Sequence, residues 1–539
     1  MFNKKFILLY LYSIVFCQPD AKFGPFDWVL YKGSGAITSI TEGYTYTYIG
    51  TKYGGLKRFN QFGNIFDDPI TVAQGLKDNH ITATYFDQNT GLIWISTPNH
   101  LQYSFSREGN WFDQKLIQLG LSNFDRIKRI GSTNKFIWLQ ARSSFVKLDN
   151  MTGSLIGIYS KPDELDVKWG SDYYNYQTTF ENILLNYHIL DGWSFNNNVL
   201  VDKLGRQNEI TACLIGKYGN LYFGANDGTL FYGNSTMETL YPIIPDIQNI
   251  DVNTIFESEN YFWIGTQDYI SSKGISKIDI QSRSSHTFSF EETINMIPSS
   301  IYSLEYSNNE LWAGGDNIIL YYDQKKDYWR TITESRGIPN GIIWDLCIEN
   351  DHIWIGSSQG LSRLELSTKY SDPIGIEPYF TNIPVYDIEL IQNNIWIGAR
   401  NGLYLYSHQD PQIIRADDWG RKNFSGQIYF ATSIKYLDQI CYIVTDIGII
   451  RFDFDKDEWD LIFPSAIYQN KMIYSMAVND KYLFLGTDNS LIRIEVKTGL
   501  IKDYAYEFIG KVNALILKEN LVWLGTRNGL VKFKWKKDL

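Results

Sequence analysis

The chain has 539 residues, of which 44% are hydrophobic and 16% aromatic, and its formal net charge is -11. This composition is apolar enough for a packed core, and the chain has no low-complexity tract that would indicate wholesale disorder. The acidic balance, without a cluster of Lys and Arg, argues against binding to the phosphate backbone of nucleic acid.

The N-terminus has the pattern of a secretory signal peptide. Lys4 and Lys5 are followed by an apolar run over 6–16 and then by polar residues. The run is too short to span a bilayer about 30 Å thick, but it suits a signal-peptide core. We therefore expect 1–17 to be removed on export, with no transmembrane segment afterwards. Lipid attachment at Cys17 and a buried N-terminal strand are the less favoured alternatives.

A short motif recurs along the chain and predicts the fold. The sequence His352-Ile-Trp-Ile-Gly-Ser-Ser-Gln-Gly-Leu-Ser-Arg-Leu364 returns at Asn394–Tyr406 and at Leu521–Phe533. Together with weaker copies, these place the glycine slot at positions 50, 96, 140, 224, 265, 314, 356, 398, 445, 486 and 525. The usual interval is about 42 residues, and the double interval from 140 to 224 predicts a twelfth, degenerate repeat between Leu155 and Gly205.

Each repeat has the pattern of four short strands. An apolar first strand such as Val385–Ile391 precedes a polar turn and the strand that carries the Trp-Ile-Gly core. Asn401-Gly402 and Asn528-Gly529 tolerate positive φ, so they predict a second tight turn. We expect the core glycine to leave space for an aromatic side chain of the adjacent sheet. Four-stranded units of about 40–50 residues indicate β-propeller blades.

The ends of the repeat array predict how a propeller closes. Trp28–Lys32 resembles a lone fourth strand, whereas the last repeat has only its first three strands. We expect the N-terminal strand to complete the C-terminal blade and to protect its edge. Twelve blades exceed the usual ~4–8 in one ring. The prediction is therefore an all-β fold of two tandem propellers of six or seven blades, over 24–297 and 298–539, with a provisional boundary.

The motif (apolar)-Trp-Ile-Gly-Thr-x-x-Gly-Leu-x-Arg-Phe resembles the two-component-regulator propeller repeat, and the resemblance covers the chain from Trp28 to Leu539. It implies an exported propeller similar to the periplasmic sensor half of hybrid histidine kinases and to accessory propellers of the type IX secretion system. Family sensors continue into a β-sandwich domain, a membrane helix and a kinase, whereas this sequence shows neither a kinase motif nor a sorting domain. We expect no signalling through a kinase of its own.

Several patterns that resemble catalytic or metal-binding motifs have simpler interpretations. Gly356-Ser-Ser-Gln-Gly360 fits a serine-hydrolase pattern, but it occupies the same turn as Gly398–Gly402, where no helix follows. Asp453–Asp457 lacks the glycine and the final glutamate of a calcium loop, so we expect a solvated turn. The histidines are scattered, and Cys213, Cys347 and Cys441 have the pattern of small buried side chains. We predict no catalytic residue, no metal and no cofactor.

Two sets of residues are candidates for binding a ligand or a partner. One set lies in turns between second and third strands, which often line the binding face of a propeller, and comprises Lys52, Tyr53, Arg400, Asn401, Arg527 and Asn528. If the first and last blades meet, Lys52 and Arg527 become neighbours. The other set lies in an irregular aromatic segment over 168–198 and includes Trp169, Tyr174 and Trp193, which suit stacking on a sugar or contact with a protein. Solvated turns and a divergent blade are the simpler alternatives.

Three functions are consistent with the sequence. The favoured prediction is a non-catalytic binding or scaffold propeller of the bacterial envelope that contacts a protein or a glycan. The alternatives are a periplasmic ligand sensor that works with a separate membrane histidine kinase, and a propeller lyase or hydrolase. A cluster of ionisable side chains with perturbed pKa values on a ring axis would favour an enzyme. A large exposed apolar patch would favour a scaffold, and a closed polar pocket would favour a sensor.

Overall fold

The computed structural model of the chain describes residues 19–539 except 171–176, 246, 249–250, 259, 267–273, 280–284, 291–296, 298 and 410. These residues form an all-β fold of small antiparallel sheets, most of them four-stranded, that follow one another along the chain. The predicted all-β class and the four-stranded repeat are confirmed. We number the eleven sheets that carry the repeat 1 to 11 in chain order, and we call the first strand of each sheet its inner strand.

Sheets 1 to 4 form the N-terminal group. Their strands are Ile37–Glu42, Tyr46–Thr51, Leu56–Asn60 and Ile65–Ile70 in sheet 1, then Ala83–Phe86, Ile93–Ser96, His100–Ser104 and Phe112–Lys115 in sheet 2. Sheet 3 contains Arg129–Ser132, Phe136–Gln140, Phe145–Asp149 and Leu155–Tyr159, with Lys168–Trp169 on its inner edge. Sheet 4 contains Ile210–Ile215, Asn220–Ala225, Leu230–Asn234 and Thr239–Ile243, and His188–Ile189 runs parallel to the last of these.

Sheets 5 to 11 form the C-terminal group. Sheet 5 contains Thr254–Ser258, Tyr261–Gly265, Ile275–Asp279 and Ser285–Phe288. Sheet 6 contains Ser303–Ser307, Glu310–Gly314, Ile319–Asp323 and Tyr328–Ile332. Sheet 7 contains Ile343–Glu349, His352–Ser357 and Gly360–Glu365. Sheet 8 contains Val385–Ile391, Asn394–Ala399, Gly402–Ser407 and Ile413–Arg415. Sheet 9 contains Ala431–Leu437, Ile440–Thr445, Gly448–Asp453 and Glu458–Pro464, and Arg421–Lys422 runs parallel to the last of these. Sheets 10 and 11 contain Ser475–Val478, Tyr482–Gly486, Leu491–Glu495 and Ile501–Tyr504; and Val512–Lys518, Leu521–Thr526, Gly529–Phe533 and Trp28–Tyr31.

The N-terminal strand completes the last sheet, as the sequence predicts. Trp28–Tyr31 pairs antiparallel with Gly529–Phe533 and supplies the fourth strand of sheet 11. The indole of Trp28 is fully buried and stacks on the ring of Phe533, with the two centroids 3.6 Å apart. The two ends of the chain are therefore joined in one hydrophobic core.

The segment where a twelfth repeat is expected has a different structure. Within the described residues, it contains the helix Gln177–Asn186 and a small sheet of Ser194–Asn196, Val199–Val201 and Gln207–Asn208. We call 177–208 the insert. The remaining helices are single 3-10 turns at Val72–Gln74, Leu116–Leu119, Lys217–Gly219, Glu334–Arg336, Glu377–Phe380, Ala416–Asp418, Ser465–Tyr468 and Trp535–Asp538. Within the part of the chain that the structure describes, no helix has the length and apolar character needed to cross a bilayer.

The core lies between neighbouring sheets, around the second strand of each. The tryptophans of these strands are buried, and Trp312, Trp354 and Trp396 are fully so. The glycine two residues later allows the start of the next sheet to approach: a Cβ atom on Gly314 would lie 2.6 Å from Ile343 Cγ2. The predicted aromatic neighbour is wrong at this position, because a β-branched aliphatic side chain fills the space.

The sheets of the C-terminal group contact one another in chain order, and sheet 11 also contacts sheet 5. Asn253 Nδ2 of sheet 5 donates a hydrogen bond to the carbonyl of Ile301 (2.9 Å), at the start of sheet 6. Asn513 Nδ2 of sheet 11 donates in the same way to the carbonyl of Val252 (3.2 Å), at the start of sheet 5. Sheet 11 thus packs against sheet 5 by a contact that neighbouring sheets use.

The N-terminal group has the spatial order 4, 1, 2, 3. Thr211 Oγ1 of sheet 4 donates to the carbonyl of Ile37 (2.6 Å), so the inner strand of sheet 1 lies between those of sheets 4 and 2. The two groups meet at the outer strand of sheet 1, where the Asp68 carboxylate pairs with the Lys532 ammonium (2.8 Å) and accepts a hydrogen bond from Tyr31 Oη (2.5 Å). The first and last sheets therefore meet through their outer strands.

Candidate functional site

A cavity of about 690 Å³ lies where the two groups of sheets adjoin the insert. Sheet 1 contributes Asn64 and Phe66 from its last turn and strand, and sheet 5 contributes His286. The insert supplies Trp193 and the turn 202–208, and the end of sheet 4 supplies Ile243 with its neighbours. With the turn 227–229 of sheet 4, the cavity is built from five separate stretches of the chain, and its volume is typical of small-molecule sites.

Trp193 is the largest aromatic side chain of the cavity wall. Its indole is half-buried and packs edge-to-face on Phe231 of sheet 4, with centroids 5.0 Å apart and planes at 83°. Phe231 is itself fully buried in the core of sheet 4. Phe231 therefore supports the indole from the core of sheet 4, and Trp193 also lines the cavity.

The polar wall is ordered by its own hydrogen bonds. The Asp202 carboxylate accepts hydrogen bonds from Arg206 Nε (2.7 Å) and from the backbone nitrogens of Leu204 and Arg206 (2.9 Å each). Burial raises the pKa of Asp202, but these hydrogen bonds hold the pKa below its usual value. Asp227 accepts from Thr229 N (2.9 Å) and Thr229 Oγ1 (3.0 Å). The turns that face the cavity are therefore fixed by internal contacts.

The cavity wall carries charges of both signs. Its carboxylates are those of Asp191, Asp202 and Asp227, and its cationic side chains are those of Lys203 and Arg206. Amides and hydroxyls from the insert, sheet 4 and sheet 5 complete the lining. A wall with both signs of charge, hydrogen-bonding groups and one large aromatic ring suits a polar ligand with many hydroxyl groups better than a simple ion.

A cluster of ionisable side chains occupies the inner strands of sheets 6 to 9. Asp345 and Asp387 hold equivalent positions, since each pairs with the glycine of its neighbouring strand. Asp345 Oδ2 accepts a hydrogen bond from Ile388 N (2.7 Å), and Asp387 Oδ2 accepts one from Ile434 N (2.5 Å). Each carboxylate therefore satisfies the backbone of the next inner strand. In sheets 6 and 10 the equivalent residue is a serine, Ser303 or Ser475.

Two residues further along these inner strands, and so on the same face, lie Glu305, Cys347, Glu389 and Lys435. Glu389 pairs with the Lys435 ammonium. Burial lowers the pKa of Lys435, but the Asp387 and Glu389 carboxylates outweigh burial and raise the pKa above its usual value. Burial, reinforced by Glu389, raises the pKa of Glu305 to about 8.

Burial also raises the pKa of Asp345, Cys347 and Cys441. The thiols therefore stay protonated and make poor nucleophiles at neutral pH. Among the residues that the structure describes, no group of three or more His, Cys, Asp or Glu is arranged to hold a metal ion. The sequence patterns do not predict this cluster, although charged residues inside the apolar strands Ile343–Glu349 and Val385–Ile391 are a signal of it.

The buried Glu305 predicts a stability that falls as the pH rises. Its carboxyl is protonated in the fold up to about pH 8 and loses its proton in the unfolded chain near its ordinary pKa of 4.5. Its stabilising contribution is therefore complete below that ordinary value and is lost as the pH rises through 8. Glu389, Lys435 and Cys347 are its ionisable neighbours. We expect the thermal midpoint to fall between about pH 5 and pH 8, the interval between the two pKa values.

The variant Glu305→Gln, which cannot ionise, tests this assignment. Its thermal midpoint, followed by circular dichroism, is expected to fall less over the same pH interval than that of the unsubstituted chain. Glu334→Gln, at an exposed turn of the same group, is the control and is expected to leave the pH profile unchanged. An identical fall in Glu305→Gln and in the unsubstituted chain would contradict the buried carboxyl.

The turn residues predicted to bind a ligand lie at separate places. Lys52 and Tyr53 are exposed in sheet 1, with the ammonium 5.1 Å from the ring centroid. Arg400 is exposed in sheet 8, and the carbonyl of its neighbour Asn401 accepts a hydrogen bond from Arg415 (3.0 Å).

The equivalent turn of sheet 11 is tied to the segment that precedes its inner strand. The backbone nitrogen of Arg527 donates to Lys511 (3.0 Å), and Asn528 Nδ2 donates to the carbonyl of Phe508 (3.2 Å). The inner strand of sheet 11 packs on that of sheet 5, whereas sheets 1 and 11 meet at Asp68 and Lys532. The role of all these turn residues stays a prediction.

The aromatic candidates are divided in the structure. Trp193 lines the cavity. Trp169 lies on the inner edge of sheet 3 beneath the guanidinium of Arg129, 4.3 Å from its ring centroid, and is not part of the cavity wall. Tyr174 lies outside the described residues.

The motifs set aside in the sequence have ordinary structural roles. Ser357 Oγ donates to the carbonyl of Gly360 (3.1 Å) inside the turn between two strands of sheet 7, where no helix follows. Asp453 caps the turn before Glu458–Pro464 by accepting from the backbone nitrogens of Asp455 and Lys456 (3.2 Å each). Cys213, Cys347 and Cys441 are buried, as expected.

The comparisons with known proteins give no family. No family model matches the chain, and no curated protein matches it. The extracellular domains of two putative hybrid two-component systems from B. thetaiotaomicron share 14% identity with it over 92% of its length. They are covered over 70% and 75% of their own lengths, with TM-scores of 0.43 and 0.42. A computationally designed protein, Ika8, shares 17% identity over 61% of this chain and 96% of its own, with a TM-score of 0.40. Membership of the two-component-regulator propeller family stays a prediction.

Proposed function

We propose that this chain is an exported, non-catalytic β-propeller protein of the bacterial envelope that binds a glycan in the cavity between its two groups of sheets. The half-buried indole of Trp193 in the wall of a polar cavity carries this proposal. The C–H faces of a sugar ring pack on an aromatic side chain, while its hydroxyls exchange hydrogen bonds with amides and carboxylates. The wall offers both kinds of contact at one place.

We further propose how the sheets are divided between propellers. The repeated contacts from sheet 5 to sheet 11 and back to sheet 5 support a closed seven-bladed propeller, sealed by Trp28–Tyr31. Sheets 1 to 4 then form a second, shorter set of blades that is inserted after the sealing strand. In this arrangement the boundary lies between Ile243 and Thr254 instead of at residue 297. The cavity then lies at the interface between the seven-bladed propeller and the shorter set of blades, and such interfaces are a common place for ligand sites.

A glycan array tests the proposed function. The fluorescently labelled chain without residues 1–17 is expected to bind a defined set of glycans, and Trp193→Ala is expected to weaken this binding at least about tenfold, the loss of about 1.4 kcal/mol of stacking. Trp169→Ala, which removes an indole outside the cavity, is the matched control and is expected to retain binding. An empty array, or equal losses in the two variants, would overturn the proposal.

A hydrolase or lyase is the second candidate function, and the ionisable cluster of sheets 6 to 9 favours it. Glu305, with its raised pKa, has the protonation state of a general acid at neutral pH. Against it, Asp345 and Asp387 are already bound to backbone nitrogens and Glu389 to Lys435. Chromatography of array glycans after incubation with the chain and with Glu305→Gln separates the candidates: products formed only by the unsubstituted chain would establish an enzyme.

The sensor alternative uses the same cavity. In that case the glycan would change the affinity of the chain for a separately encoded membrane histidine kinase. The array result is shared by both, so co-purification of a kinase from envelope extract that changes when the glycan is added would favour the sensor.

A further inference from the structure

The N-terminal group carries exposed aromatic and methionine side chains at the tips of one class of turn. These turns join the first strand to the second and the third to the fourth in each sheet. Phe62 is 81% exposed and Tyr218 is 93% exposed. All four sheets contribute, and we call the full set the aromatic face: Tyr44, Phe62, Phe105, Met151, Tyr218 and Met237.

Hydrogen bonds within the sheets place these turns on one side of the group. The two turns of sheet 1 are joined because Gln61 N donates to the carbonyl of Thr45 (3.1 Å). The two turns of sheet 4 are joined in the same manner, since Ser235 N donates to the carbonyl of Gly219 (2.8 Å). Each pair of tips therefore projects from the same end of its sheet.

Hydrogen bonds between sheets connect the turns into a continuous surface. Lys217 of sheet 4 donates from its backbone nitrogen to Glu42 Oε2 of sheet 1 (2.5 Å) and from Nζ to Gln88 Oε1 of sheet 2 (2.9 Å). Asn89 Nδ2 of sheet 2 donates to the carbonyl of Thr133 in sheet 3 (3.2 Å). All four sheets are thus linked at this end, and the exposed tips stand on an ordered base.

Cationic groups lie beside the exposed rings. The Arg107 guanidinium and the Lys217 ammonium are 5.8 Å and 5.9 Å from the ring centroid of Tyr44. Tyr218 has a φ of 57°, and the bond between Lys217 and Glu42 holds the turn in this strained shape with the ring outside. Exposed aromatic rings and flanking cations therefore occur together on this surface.

The C-terminal group provides an internal comparison. Its equivalent turns carry mainly Asn, Asp, Gln, Lys and Glu, as at Asn308, Gln392 and Asp438. Among the described residues of these turns, with the turn of sheet 7 that the bridge between Leu364 and Ser371 closes, only Tyr370 and Leu500 are large and apolar and at least half exposed. The same structural position therefore has a different chemistry in the two groups, although the repeat and its turns are alike.

We propose that the aromatic face binds the interfacial region of a lipid bilayer. Tyrosine and other amphipathic side chains favour the headgroup level, where an apolar ring is buried and a polar tip stays hydrated. Lys217 and Arg107 are placed to meet lipid phosphates, and each such cation contributes about 1 kcal/mol near an anionic surface. A protein interface would need a contiguous packed centre, whereas these tips stand on separate turns with polar residues between them.

Sedimentation with lipid vesicles tests this inference independently of the glycan site. The chain without residues 1–17 is expected to co-sediment with vesicles of phosphatidylethanolamine and phosphatidylglycerol. The variant with Tyr44→Ser, Phe62→Ser, Phe105→Ser and Tyr218→Ser is expected to lose at least about tenfold in its partition coefficient. These side chains are exposed, so the variant is expected to keep its circular dichroism spectrum.

The double variant Tyr370→Ser and Leu500→Ser is the matched control, because it removes the equivalent exposed residues from the C-terminal group. It is expected to bind vesicles as the unsubstituted chain does. Absence of vesicle binding, or an equal loss in the control, would overturn the proposal. A concentration-dependent dimer in light scattering that the fourfold variant abolishes would also overturn it, since the face would then bind a second copy of the chain.

Discussion

Replacing Trp28 with alanine is expected to lower the free energy of unfolding by about 3–5 kcal/mol. The indole is fully buried, stacks on Phe533 and contacts the rings of Tyr504, Tyr506 and Phe508. Its removal leaves a cavity in the core between sheets 10 and 11 and weakens the strand that joins the two ends of the chain. Urea denaturation followed by circular dichroism measures the change.

The matched control for Trp28 is an aromatic residue of the C-terminal group that makes little contact. Tyr429 is 66% exposed, and Tyr429→Ala is expected to change the free energy of unfolding by at most about 0.5 kcal/mol. If Trp28→Ala costs no more than Tyr429→Ala, the N-terminal strand does not complete the last sheet.

Replacing Asp68 with alanine is expected to lower the free energy of unfolding by about 3–5 kcal/mol, because it removes the carboxylate that pairs with the buried Lys532 ammonium. The side chains of Lys532 and Asp68 are only 9% and 12% exposed, and both carboxylate oxygens lie within 2.9 Å of the ammonium. The same carboxylate accepts from Tyr31 of the N-terminal strand. The loss is expected in the same denaturation experiment.

An exposed ion pair shows what burial adds to this result. The Lys326 ammonium pairs with Asp323 at 2.8 Å, but the lysine side chain is 77% exposed. Lys326→Ala is therefore expected to lower the free energy of unfolding far less than Asp68→Ala does. Equal costs for Asp68→Ala and Lys326→Ala would show that the contact between sheets 1 and 11 is solvated, against the structure.

Much of the fold follows from local sequence patterns. The Trp-Ile-Gly core, the polar turns and the Asn-Gly pairs each act over a few residues, and the second strands and their buried tryptophans lie where these patterns predict. The role of Trp28–Tyr31 was also accessible, because a sheet that lacks its fourth strand needs one from elsewhere.

The order of the sheets in space does not follow from such patterns. All repeats have similar inner strands, so the sequence does not indicate that sheet 4 packs on sheet 1 or that sheet 11 packs on sheet 5. The prediction of an aromatic neighbour for the core glycine was wrong for a related reason. The partner belongs to another repeat, and it is a β-branched residue such as Ile343 at the start of that sheet.

The candidate site was only partly accessible from the sequence. Trp193 was singled out because its segment departs from the repeat, and the structure places it in the cavity wall. Asn64 and His286 lie in segments far apart in the chain, and only the packing of the two groups brings them to the same cavity. The cluster around Glu305 could not be predicted, because each charged residue lies in a different repeat. A single polar residue in an apolar strand does not by itself indicate a site.

Hydrogen–deuterium exchange with and without the best-binding array glycan tests the central claim, that the cavity holds the ligand. We expect slower exchange of backbone amides in three separated segments, Asn64–Phe66, Trp193–Asn208 and His286–Ser289, because all three line the cavity. Protection confined to the inner strands of sheets 6 to 9, or to the turns with Lys52, Arg400 and Arg527, would contradict the claim and move the site to the ionisable cluster or to those turns.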